Sequence, residues 1–143
     1  MRLRNKSLAA FTLLESLLAL AITAFLLLSF SGTVSGVFQQ VEESLFFLSF
    51  ENLYRDSQKL ANTKQEKISL SISESKISNG RTSLEVPKGI KPRVNYRITF
   101  DQGGGNSSLE KLVFVSSDQE VAYQLYLGSG NYKKTKTKSL YTP

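Results

Sequence analysis

From Ser7 to Val41 the only ionisable side chain is Glu15, and inside that run lies Phe11–Phe30, a stretch of 20 mostly apolar residues. As a helix it spans about 30 Å, the thickness of a bilayer hydrocarbon core. Three cations, Arg2, Arg4 and Lys6, precede it. Basic residues before a span are retained on the cytoplasmic side, so the run predicts a single-pass chain with its N-terminus inside. An ordinary secretory signal has a shorter apolar core and a cleavage site after it. Here the core is long, and a carboxylate sits near its start. Such a group costs roughly 2.5–3.5 kcal/mol in a membrane unless it lies near the interface or is paired. Glu15 is therefore either a headgroup-level acid of a plain anchor or a group with a partner elsewhere.

The residues around the start of the span resemble a known signal. Ala10-Phe11-Thr12-Leu13-Leu14-Glu15 is similar to the class III signal of type IV prepilins. That resemblance implies cleavage by a prepilin peptidase between Ala10 and Phe11, N-methylation of Phe11, and retention of the apolar segment. It makes Glu15 the acid at the fifth mature position. Ala10 stands where most members carry Gly, and small residues are accepted there. In a filament packed without lipid a buried carboxylate needs a cationic partner. The charged N-terminus of the same or a neighbouring subunit fits that requirement and would set the axial register.

The helical pattern continues past the span. Val34, Val37, Phe38, Val41, Leu45 and Leu48 recur at three- and four-residue steps, with Leu53 and Leu60 extending the stripe. This predicts a helix over about 12–61, roughly 75 Å long, whose second half needs a cover. Phe46, Phe47 and Phe50 lie close together and predict core or subunit packing. Alternation at Ile68/Leu70/Ile72, Leu84/Val86, Val94/Tyr96/Ile98/Phe100 and Val121/Tyr123/Leu125/Leu127, with the run Leu112–Val115, predicts four or five short antiparallel strands. Asn79-Gly80 predicts a type I′ hairpin turn, and Gly103-Gly104-Gly105 a flexible one. The fold class is thus α+β, a long helix packed on a small antiparallel sheet, which is the type IV pilin-like architecture. The expected divisions are a leader at 1–10, an assembly half of the helix at 11–31, an amphipathic half at 32–62, a sheet head at 63–130 and a basic flexible tail at 131–143.

Absence of Cys and His excludes disulfides, thiolate nucleophiles and His-based catalysis, and removes the usual zinc ligands. Neither an enzyme nor a cofactor or metal site is expected. Ser73-Glu-Ser-Lys76 and Ser108-Leu-Glu-Lys111 match a Ser-x-x-Lys pattern without companion motifs. The three glycines have no Gly-Lys-Ser/Thr after them. Asn106-Ser107-Ser108 has glycosylation spacing and reads as incidental. The net charge of +6 is concentrated at the two ends, with Lys133, Lys134, Lys136 and Lys138 near the C-terminus, and removal of the first ten residues leaves +3. Lys88, Lys91, Arg93 and Arg97 form a cluster with Tyr96 interleaved and no acid among them. Exposed together they would contact DNA phosphates; beside acidic partners they would form a solvated strand face.

Val41–Gln58, Val86–Ile90, Ile98–Lys111 and Tyr123–Gly130 resemble the minor pilins of Gram-positive competence systems over nearly the whole chain. The resemblance implies a low-abundance subunit of a competence pilus that captures extracellular DNA in natural transformation. Its implied partners are other minor pilins, the major pilin, the prepilin peptidase and the membrane. Its implied location is the cell membrane before assembly and the cell surface afterwards, and contact with DNA would be indirect. Alternative readings are a pseudopilin of a type II-like secretion system, a direct DNA receptor at the pilus tip, and a single-pass surface enzyme. The last would require a catalytic constellation.

Overall fold

The computed structural model describes residues 5–138, with side chains described over 12–30 and 36–138. The start of the leader (1–4), the side chains of Ala10 and Phe11, and residues 139–143 lie outside the described residues. The chain divides into two compact units, Met1–Gln40 and Val41–Pro143. Helix α1 covers Asn5–Lys64, longer at both ends than the apolar periodicity predicts.

In the first unit, Thr12–Phe30 is long and apolar enough to cross a membrane. Three of its hydroxyls are handled within the helix. The hydroxyls of Ser16, Thr23 and Ser29 each donate to the carbonyl four residues earlier, at 2.8 Å. These local bonds keep three donors paired where lipid offers no acceptor.

The second unit holds the core. On α1 the buried positions are Glu43, Phe46, Phe47, Phe50, Leu53, Tyr54, Ser57 and Ala61, a face recurring every three to four residues. It takes in the Phe46, Phe47 and Phe50 cluster and, of the aliphatic stripe, Leu53. Val37, Phe38, Val41, Leu45 and Leu48 are all at least 50% exposed. The helix carries two apolar stripes, and the head covers the aromatic one. Each Phe or Tyr removes about 150–250 Å² from water, more than a Val or Leu can. The helix ends in a Schellman motif. Gln65 adopts φ 54°, Glu66 N donates to Ala61 O and Gln65 N to Asn62 O, so two last-turn carbonyls find donors without a glycine.

Eight strands follow: β1 (Ile68–Ile72), β2 (Lys76–Ser78), β3 (Ser83–Glu85), β4 (Lys91–Pro92), β5 (Tyr96–Phe100), β6 (Lys111–Val115), β7 (Gln119–Leu125) and β8 (Tyr132–Lys138). They form two four-stranded sheets in place of the single small one expected, in the orders β3-β2-β1-β5 and β4-β6-β7-β8. All pairings are antiparallel. Alternation puts Leu70, Ile72, Ile77, Ile98 and Phe100 of the first sheet, and Leu112, Phe114, Val121, Tyr123 and Leu125 of the second, into one cluster with the aromatic face of α1. Phe50 is the hub, its ring 5.1 Å edge-on from both Phe114 and Tyr123.

Two local expectations are corrected. The β2–β3 turn centres on Gly80 and Arg81, one residue later than the Asn-Gly pair, because Asn79 N donates to Thr82 O. Gly80 has φ 85° while Arg81 does not share a positive φ, which is the pattern of a II′ turn and not I′. Asn79 instead caps the turn, its Oδ1 accepting from the amides of Arg81 and Thr82. The second correction concerns the tail expected at 131–143. Residues 132–138 form β8, paired to β7 over seven positions from Gln119↔Lys138 to Leu125↔Tyr132. Tyr132 supplies the physical reason: its ring packs edge-on, 5.2 Å from both Tyr54 and Tyr123, anchoring a strand whose other residues are exposed.

Candidate functional sites

Glu15 stands exposed in the apolar run of α1. No other Asp, Glu, Lys or Arg lies between Thr12 and Phe30. The expected cleavage point between Ala10 and Phe11 falls where side chains are not described.

Of the four cations Lys88, Lys91, Arg93 and Arg97, two lie on strands of different sheets and two in the connecting segments. Lys88 lies in the turn closed by the Ile90 N to Pro87 O bond. Lys91 is on β4 in one sheet and Arg97 on β5 in the other. Arg93 donates to Glu120 Oε2 at 2.7 Å, an acid distant in sequence that the local pattern does not reveal. Arg97 shares an open hollow with Lys67, Ser69 and Ser71. The fold thus leaves these four without a common convergence point on one sheet.

What the fold does bring together is a line of polar ties between α1 and the head. Glu43, buried, accepts from Ser116 Oγ at 3.2 Å and Gln119 Nε2 at 3.0 Å. Glu51 Oε1 accepts from Lys134 Nζ at 2.6 Å and Tyr123 Oη at 3.0 Å. Ser57 Oγ accepts from Asn79 Nδ2 at 2.9 Å. Gln58 Nε2 donates to the carbonyls of Gly104 and Gly130, at 3.0 and 2.8 Å. Glu51 and Gln58, seven residues apart, lie on one flank of the aromatic face, while Glu43, eight residues before Glu51, falls within that face. That spacing was the one signal in the sequence; the partners come from strands far along the chain.

Glu51 is the electrostatic centre of this line. Burial by itself would raise its pKa, but the hydrogen bonds from Lys134 and Tyr123 and the charges of Lys134 and Arg55 outweigh that and hold the carboxyl below its ordinary range. The Lys134 ammonium also lies 5.5 Å from the ring centres of Phe47 and Tyr123. Burial pushes the hydroxyls of Tyr54, Tyr123 and Tyr132 up, with the Glu51 charge adding to the effect at the latter two. The three hydroxyls are neutral at physiological pH; that of Tyr123 donates to Glu51, whereas the buried hydroxyl of Tyr54 has no hydrogen-bond partner among the described residues and its ring acts by packing.

The glycine run expected as a flexible turn is closely packed. Gly104 and Gly105 are buried. A Cβ on Gly105 would overlap Gly128 O, and one on Gly130 would overlap the Gln58 amide. Gly128 N donates to Asn106 O at 2.9 Å, which ties the β5–β6 loop to the β7–β8 turn. The Ser-x-x-Lys segments serve turns: Ser73 Oγ donates to Lys76 O at 2.7 Å, and Ser108 Oγ accepts from Glu110 N. Among the described residues no group of three or more His, Cys, Asp or Glu could hold a metal ion.

No protein-family model and no solved structure matches the chain. Among curated proteins it is similar to the competence protein ComGD of Streptococcus pneumoniae (strain ATCC BAA-255 / R6), 50% identical over 127 residues, which are 89% of this chain and 79% of that protein. With its α+β pilin-like fold, the chain belongs to the ComGD family of competence proteins.

Proposed function

We propose that this chain is a minor pilin of a competence pilus, stored in the membrane as a precursor and assembled into the filament that takes up extracellular DNA. The observation that carries the reading is the 50% identity to a competence protein in a chain whose apolar segment opens Phe11-Thr12-Leu13-Leu14-Glu15. Prepilin peptidase cuts between Ala10 and Phe11 and methylates the new amino group. The mature helix then leaves the bilayer and packs against other minor pilins and the major pilin. There Glu15 meets a positively charged N-terminus, which offsets the cost of its burial and fixes the register. The exposure of apolar side chains on α1 as far as Leu48 supports this assembly role, because a surface of that kind needs a partner. The role is structural, and no chemistry is assigned to the chain. On its route the protein is first a single-pass membrane protein with a cytoplasmic N-terminus and then a component of the cell surface.

Intact mass and N-terminal sequencing of the cell-derived protein, with and without the peptidase, test the reading. The expected product starts at methylated Phe11 and forms only when the peptidase is present. A chain still starting at Met1, or cut beyond Phe30, would overturn it.

A further inference from the structure

The basic segment near the C-terminus acquires a geometry that a loose tail would lack. Strand β8 carries Lys133, Lys134, Lys136 and Lys138 with no acid within it, and it is the last strand of its sheet. Only Lys134 is committed inward, to Glu51. The alternation of a strand places Lys136 and Lys138 on the same face as Lys134, and Lys133 on the opposite face with Thr135 and Thr137. On that second face Lys133 is in line with Lys111 on β6, with Gln124 of β7 between them, through the pairs Lys111↔Gln124 and Gln124↔Lys133. On the Lys134 face the nearby acids are Glu51, held by Lys134, and buried Glu43, held by Gln119, the register partner of Lys138. On the other face Glu120 is taken by Arg93, leaving Glu110 beside Lys111 and Asp118 in the β6–β7 turn.

We infer that the free rim of β8, with Lys111, is a binding site for the phosphate backbone of nucleic acid. The rim is one strand wide with cations on both faces. A flat membrane would meet one face at a time, whereas a linear polyanion running along the rim meets both. From Lys133 to Lys138 the strand extends about 17 Å, a length over which a DNA duplex presents about ten charges. The hydroxyls of Thr135 and Thr137 add donors of the kind that contact phosphate oxygens without reading sequence. A row of lysines also discourages another protein strand from pairing with this edge, which favours the polyanion over strand addition. The site deepens the pilin reading and rests on it in one respect: the single span with a cytoplasmic N-terminus puts β8 on the outer side of the membrane, and assembly carries it to the cell surface, where DNA is met.

The test uses the full chain in a zwitterionic detergent and a labelled random-sequence DNA duplex, with polyglutamate and anionic phospholipid vesicles as competing probes. Binding should weaken steeply with salt. The variant Lys133→Gln/Lys136→Gln/Lys138→Gln keeps Lys134 and therefore the tie to Glu51. It should flatten the slope of log affinity against log salt by about 2.7, at about 0.9 per lost phosphate contact. Lys88→Gln/Lys91→Gln should leave the slope unchanged. Equal binding by wild type and the triple variant, with unchanged melting of both, would overturn the assignment. Polyglutamate or vesicles binding as tightly as DNA would likewise overturn it. Precursor and mature chain both carry β8, so this measurement and the N-terminal analysis fail independently.

Discussion

Replacing Glu51 by Gln removes one charge from the tie between α1 and β8 while keeping the side-chain shape and an acceptor for Tyr123. Glu51 receives Lys134 Nζ at 2.6 Å and Tyr123 Oη at 3.0 Å, and the side chains of Lys134 and Glu51 are only 30% and 21% exposed. Hydrogen bonds to a charged group contribute roughly 1.5–3 kcal/mol, and partial exposure of this pair places it at the low end. A loss of about 1.4 kcal/mol is a factor of about ten in an equilibrium constant, so amides of β8 should exchange about tenfold faster in Glu51→Gln. The ladder β1–β5 should change little if β8 opens as a local unit. The effect also has a defined pH dependence. Because the folded-state pKa of Glu51 lies below the ordinary 4.5, its contribution is present above the unfolded-state value and is lost as pH falls through the folded one. Wild type and variant should therefore converge in acid. Hydrogen exchange read by mass spectrometry decides the matter. Equal exchange of β8 in the two proteins at neutral pH would refute the claim that this pair holds the strand.

Phe50→Ala should cost about 3–5 kcal/mol, since Phe50 is 1% exposed and joins three other aromatic rings; the denaturation midpoint reads it. Gly130→Ala should be clearly more damaging than Gly128→Ala in thermal melts. Both glycines have positive φ, but a Cβ at 128 meets open space while one at 130 displaces the Gln58 amide from its two carbonyls. Stability should also fall as pH rises above about 10. Tyr54, Tyr123 and Tyr132 hold their protons more tightly folded than unfolded, so ionisation favours the unfolded chain. The tyrosinate absorbance of these three should then rise together with loss of structure; ionisation of all six tyrosines before unfolding would contradict their burial.

The apolar run with its lone Glu15, the long helix, the alternation of β1, β5 and β7, and the α+β class are all local or periodic properties, so they were legible in the sequence itself. Periodicity counts apolar positions without ranking how much area each removes from water. It therefore marked both the aliphatic stripe and the Phe46, Phe47 and Phe50 cluster of α1, and tertiary packing decided that the head covers the aromatic one together with Leu53. The division into two sheets was set by pairings such as Ile68↔Phe100 and Lys91↔Val115, whose partners are distant along the chain. Charge gave a similar lesson. Arg93 seemed to stand among cations until the fold supplied Glu120, and the terminal lysines read as a flexible tail until Tyr132 docked between Tyr54 and Tyr123 and made them part of a strand. Close approaches such as Gly130 against Gln58 leave no periodic mark at all, because they exist only where two distant segments meet.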